Sequence, residues 1–119
     1  MLQIRPAQWQ ALSVAAESGY LTRLTDFLRQ EFPAACEIPL KEFKGQVGQQ
    51  VAKAKSYGLQ MEDEVATYAV TAWQLGGDFD TAFPAAEHML NSPEYTPEQK
   101  RDWLAAWTVT LFHELESGD

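Results

Sequence analysis

Residues 54–84 read AKSYGLQMEDEVATYAVTAWQLGGDFDTAFP. This stretch decides the fold. Tyr57-Gly58 stops one helix, because a glycine after an apolar-periodic run supplies a left-handed cap. Val65, Tyr68, Ala69, Ala72 and Trp73 then recur at helical spacing, which predicts an amphipathic helix over 62–75. Glu62, Asp63 and Glu64 fall in its first turn, where the helix dipole favours negative charge. Gly76-Gly77 is a second stop. In the turn that follows, Phe79 is expected to plug the core. Asp78 or Asp80 is expected to bond backbone N–H groups there.

The same period extends outward. Pro6 suits a helical first turn. Leu12, Ala16, Tyr20, Leu24, Phe27 and Leu28 stay in phase across Gly19, so one helix over 6–30 is expected. Phe32-Pro33 ends it, since a residue before proline avoids the α region. Pro39 opens the next helix, with Leu40, Phe43, Val47, Val51 and Ala54 on one stripe. A short helix over 83–90 precedes the turn cluster Asn91-Ser92-Pro93. Thr96-Pro97-Glu98-Gln99 opens the last helix, with Thr96 as N-cap, Pro97 at N1 and Gln99 at the capping-box position. That helix should reach about residue 116. No period-2 segment and no internal repeat is present. The expectation is an all-α, compact bundle of about five helices with no sheet, forming a single domain over 1–119, with Phe27, Val51, Tyr68, Trp73, Phe79 and Leu104 buried.

Composition agrees. A chain of 119 residues can bury one substantial core without a metal or disulfide. Cys36 is the single cysteine, so no intrachain disulfide forms, which fits a reducing compartment. The N-terminus lacks the apolar run of a signal peptide, and no segment approaches the ~20 apolar residues of a membrane span. A cytoplasmic protein is expected. The net charge is −8, unevenly placed: residues 1–60 sum to +2 and residues 61–119 to −10. An acidic half repels phosphate backbones and argues against nucleic acid. It can steer a basic protein surface, or simply remain solvated.

Chemistry-bearing motifs are sparse. His88 and His113 lie on different expected helices and match no metal-ligand spacing. Asp78-Phe79-Asp80 lacks the glycine and closing Glu of a calcium loop. Cys36 has no basic neighbour to lower its pKa. No phosphate loop and no nucleophile motif is present. No catalytic residue, metal or cofactor is assigned.

The last helix carries the best hint of a partner. On a helical wheel Trp103, Leu104, Trp107, Leu111, Phe112 and Leu115 cover an arc of about 180°, wider than the roughly 100° of a single core face. Either this helix is central and touched on two sides, which is the simpler account, or part of the arc docks another protein. The candidate protein-binding residues are Trp103, Trp107, Phe112, Glu114 and Glu116, and at least one of Trp103 and Phe112 should be exposed. Aromatic anchors are common in interfaces. A homo-oligomer is compatible with the same surface.

The runs IRPAQWQAL (4–12), LTRLTDFLRQEFPAAC (21–36), YGLQMEDEVATYA (57–69) and LGGDFD (75–80) resemble a family of small helical bacterial proteins encoded beside type VI secretion spike (PAAR-repeat) and effector genes. The shared elements are Phe32-Pro33, the Tyr57-Gly58-Leu59 stop, and the turn of Leu75, Gly76, Asp78, Phe79 and Asp80. The likeness spans roughly residues 1–92. Gln60-Met61-Glu62 departs from the Ser/Thr cap that many members show after the Tyr-Gly-Leu stop, and the segment from Trp103 onward lies outside the pattern. The resemblance implies a non-catalytic accessory: a cytoplasmic chaperone or adaptor that binds a secreted effector or spike-tip protein. The alternative is an immunity protein that neutralises a cytosolic-acting toxin by direct binding.

Overall fold

The computed structural model describes residues 19–116. Among them are six α-helices: α1 (Tyr20–Glu31), α2 (Leu40–Ser56), α3 (Glu62–Leu75), α4 (Phe79–Ala82), α5 (Pro84–Asn91) and α6 (Pro97–Glu116). A 3₁₀ helix, Pro33–Glu37, links α1 to α2. The described residues form an all-α fold with no sheet.

The helix ends follow from local chemistry. At the end of α2, Gly58 N–H bonds Lys55 O and Leu59 N–H bonds Ala54 O, both at 3.0 Å. Gly58 has φ +92°, and Leu59 is fully buried. This is a Schellman cap with its apolar contact. Gly76 closes α3 at φ 109° and ψ 149°. At α6, Thr96 N–H donates to Gln99 Oε1 at 2.8 Å and Gln99 N–H donates to Thr96 Oγ1 at 3.1 Å, a complete capping box.

The centre of the molecule is α3, not the last helix. Every residue from Glu62 to Ala72 is buried. The helix packs against α1, α2, α4 and α6. Most of its buried polar groups are met locally or by a distant charge, the Tyr68 hydroxyl being an exception among the described residues. Thr67 and Thr71 hydroxyls donate to the carbonyls of Asp63 and Thr67, at 2.8 and 2.9 Å, the i−4 bond open to a helical threonine. Glu62 lies at 0% exposure, and its two carboxylate oxygens accept from Arg23 Nη1 and Nη2 at 3.0 and 2.8 Å. Arg101 binds Asp63. Glu64 accepts the N–H groups of Gln60 and Met61, both at 3.2 Å. Two arginines from α1 and α6 therefore fix the N-terminus of α3, because a buried carboxylate left alone is costly.

Three expectations change. The helix does not run through Gly19: that residue has φ +88°, and α1 starts at Tyr20. The earlier part of the expected 6–30 helix lies outside the described residues. Val51 and Trp73 are half-buried at the edge of the core, not inside it. Leu40 is 51% exposed despite its place on the α2 stripe, because it is the first residue of the helix. Asp80 does more than bond a backbone N–H of its own turn. It turns inward to α2, where Lys53 Nζ and Tyr57 OH donate to it at 2.8 and 2.7 Å. Phe79 does fill the core at 0% exposure, a burial worth about 1.5–3 kcal/mol.

Candidate protein-binding surface

The outer edge of α6 is built on an aromatic stack. Trp103 and Trp107 lie one turn apart with ring centroids 4.9 Å apart and planes 17° from parallel. Trp107 is the inner member. It meets Phe83 edge-on at 5.4 Å and Phe79 at 6.4 Å, so it is tied to the core through α4 and the α4–α5 junction. Trp103 is the outer member, half-buried. Its ring contact among the described residues is Trp107.

The remaining candidates are spread around this helix. Phe112 is half-buried and Glu114 is exposed. The side chain of Glu116 lies outside the described residues. Leu104 points inward at 0% exposure, and Thr108 beside it is buried, with its hydroxyl on Leu104 O at 2.7 Å. The wide apolar arc is therefore divided. Leu104 and Thr108 are core, while Trp103, Trp107, Leu111 and Phe112 are only partly covered. The expectation that at least one of Trp103 and Phe112 is exposed is not met, since both are half-buried. Two exposed apolar residues were not singled out from sequence: Val109 at 40% and Tyr95 at 41%. Val109 falls on the polar side of the wheel, so periodicity gave no reason to choose it.

Charge surrounds the α6 surface. Arg101 has Asp63 and Asp102 as close partners and Glu98 at 3.8 Å. Burial works against its charge, but the hydrogen bonds it donates to Asp102 and Asp63 outweigh that and hold the guanidinium more firmly protonated. Counting Lys100, two cations meet Glu98, Asp102 and the α3 carboxylate Asp63 there, so the start of α6 is close to neutral. Lys100, 8% exposed, is directed inward. Its ammonium donates to Leu90 O at 2.8 Å and Tyr57 O at 3.1 Å, joining α6 to the ends of α5 and α2.

A second concave feature lies between α2 and α3. This cleft of about 230 Å³ is lined by Leu28, Phe43, Gln46, Val47, Gln50, Ala69, Ala72, Trp73, Gly76 and Gly77. Its residues come from three helices and a turn, so no sequence pattern marks it. Among the described residues no group of three or more His, Cys, Asp or Glu side chains is arranged to hold a metal. None of the described helices is long and apolar enough to cross a membrane. His88 and His113 are exposed on different helices. Comparison with protein-family models, curated proteins and solved structures finds no match to this chain.

Proposed function

We propose that this chain is a non-catalytic protein-binding domain, a cytoplasmic type VI secretion chaperone or adaptor that holds an effector or spike-tip protein through the outer edge of α6. The observation that carries protein binding is the Trp103–Trp107 stack, half-buried at the edge of the molecule. A large aromatic at such an edge gains contact area when a partner covers it, and this residue type dominates interface energies. The net charge of −10 over residues 61–119 adds steering for a basic partner. The secretion setting rests on the resemblance carried by Phe32-Pro33, Tyr57-Gly58-Leu59 and the Leu75–Asp80 turn.

The test is co-expression with the effector and the spike-tip protein encoded beside this chain. An adaptor co-purifies with one of them and raises its soluble yield while leaving its toxicity intact. Loss of toxicity on co-expression makes the protein an immunity factor instead. Co-purification with neither removes the secretion assignment.

A further inference from the structure

The cleft between α2 and α3 has the makings of a ligand site separate from the α6 surface. Its volume of about 230 Å³ exceeds the ~150 Å³ apolar cavity that accepts benzene. It falls below the ~300 Å³ at which drug-sized pockets begin. The space therefore suits one or two fused rings. Its walls are aromatic and aliphatic: Trp73 meets Phe43 edge-on at 5.7 Å, and Leu28 and Val47 complete the apolar lining.

One polar atom in the lining is left without a partner. Gln50 Oε1 is buried with no hydrogen-bond partner among the described residues. A buried amide oxygen left unpaired is unfavourable by more than a typical hydrogen bond is worth, and native structures seldom leave one without a reason. The neighbouring turn leaves room for that amide. A Cβ at Gly77 would stand 2.9 Å from Gln50 Nε2. Any larger residue at 77 would displace the side chain. Gly77 is exposed, so the cleft reaches solvent beside it.

We propose that this cleft binds a small aromatic ring system bearing an N–H donor, an indole-like group, with Gln50 Oε1 accepting the N–H and the ring lying against Trp73 and Phe43. Largely apolar walls, with Gln46 at the lining and Gln50 Oε1 as the buried acceptor left unpaired, select for a flat ligand with one donor. The ring can belong to a free small molecule or to a tryptophan side chain of a bound peptide. This inference stands independently of the α6 surface.

The probe is indole, titrated into the ¹⁵N-labelled full chain. Benzofuran, the same shape without the N–H, is the control. Indole should shift the Gln50 side-chain amide and the Gly76 and Gly77 backbone amides saturably, with a Kd at or below about 1 mM. Benzofuran should bind about tenfold more weakly, the loss expected for one hydrogen bond. Gln50→Leu should erase that difference. Gly77→Ala, which crowds the amide without removing it, should weaken indole and decides the matter if Gln50→Leu fails to fold. N-acetyltryptophan amide separates the two sources: binding comparable to indole points to a peptide side chain, and binding of indole alone to a free metabolite. The proposal is overturned if indole moves none of these resonances, or if indole and benzofuran bind the wild-type chain equally.

Discussion

The Tyr57 hydroxyl donates a 2.7 Å hydrogen bond to one Asp80 carboxylate oxygen, while Lys53 occupies the other at 2.8 Å. Tyr57 follows the last residue of α2, and Asp80 sits in α4. The bond closes the α2–α3–α4 unit on itself. Lys53 also reaches Gly77 O at 2.8 Å, so the same cluster holds the turn after α3. Tyr57→Phe removes one donor from a buried carboxylate. It should cost about 1.5–3 kcal/mol, the range for a hydrogen bond to a charged group. A urea midpoint unchanged from wild type would show that the bond contributes nothing.

Alkaline pH should unfold the protein through its tyrosines. Burial first, and then the hydrogen bond to Asp80, push the Tyr57 hydroxyl up to about 12. Burial raises Tyr20 and Tyr68 further still. An unfolded tyrosine titrates near 10. The stability these groups supply is therefore complete below about pH 10 and is lost as pH rises from there towards 12. Asp80 acts with the opposite sign. Burial raises its carboxyl, but the hydrogen bonds from Lys53 and Tyr57 and the Lys53 charge outweigh this and leave it below its ordinary value of 3.8. Its contribution is present above that value and lost as pH falls through the lower folded one. Urea midpoints at about pH 8 and about pH 11 check the alkaline arm: the second should be lower, and the drop smaller in Tyr57→Phe.

Gly58 and Gly76 should respond differently to asparagine. Both have positive φ, at 92° and 109°. A Cβ on Gly58 meets nothing within 4 Å, so Gly58→Ala carries only the backbone cost, about 1–2 kcal/mol. Asn, which tolerates the left-handed region, should restore part of it at position 58. Gly76 pairs its φ with ψ 149°, a region open essentially to glycine alone. A Cβ there also comes within 3.3 Å of Asp78 Oδ1. Gly76→Asn should therefore destabilise by at least as much as Gly76→Ala, about 1–3 kcal/mol. Equal Asn rescue at both positions in urea titrations would contradict this reading.

Much of this was legible in sequence where the signal is local. Glu62–Leu75 and the Thr96–Gln99 cap depend on residues within a few positions of one another, and both appear as the spacing predicts. The burial of α3 was not legible. Its first turn, Glu62-Asp63-Glu64, reads as a solvated face, and only Arg23 and Arg101, some forty residues away on either side, make it interior. Gly19 misled for a related reason: an unbroken apolar phase says nothing about φ. The α6 surface was half legible. The width of the arc was visible, but which of the two stacked tryptophans is tied to the core depends on Phe79 and Phe83, whose rings meet Trp107. The α2–α3 cleft needs Leu28, Gln50 and Trp73 to converge, and no period encodes that.

The difference between the two stacked tryptophans gives the sharpest test of the α6 surface. Trp107 contacts Phe79, Phe83 and Trp103. Trp107→Ala should cost roughly 2–3 kcal/mol, below the 3–5 of a fully buried tryptophan because it is only half-buried. The ring contact of Trp103 is Trp107, and part of its side chain also packs against the core, so Trp103→Ala should cost about 1–2 kcal/mol and leave the fold intact. If the edge of α6 binds a partner, Trp103→Ala should still weaken capture by about 2 kcal/mol or more, roughly 30-fold. Phe112→Ala serves as the second flank. Added salt should slow association as the surrounding carboxylates are screened, while dissociation changes little. Folding is read from urea midpoints and capture from surface-immobilised partner, on the same samples. Undiminished capture by a folded Trp103→Ala protein would move the binding surface away from this edge of α6.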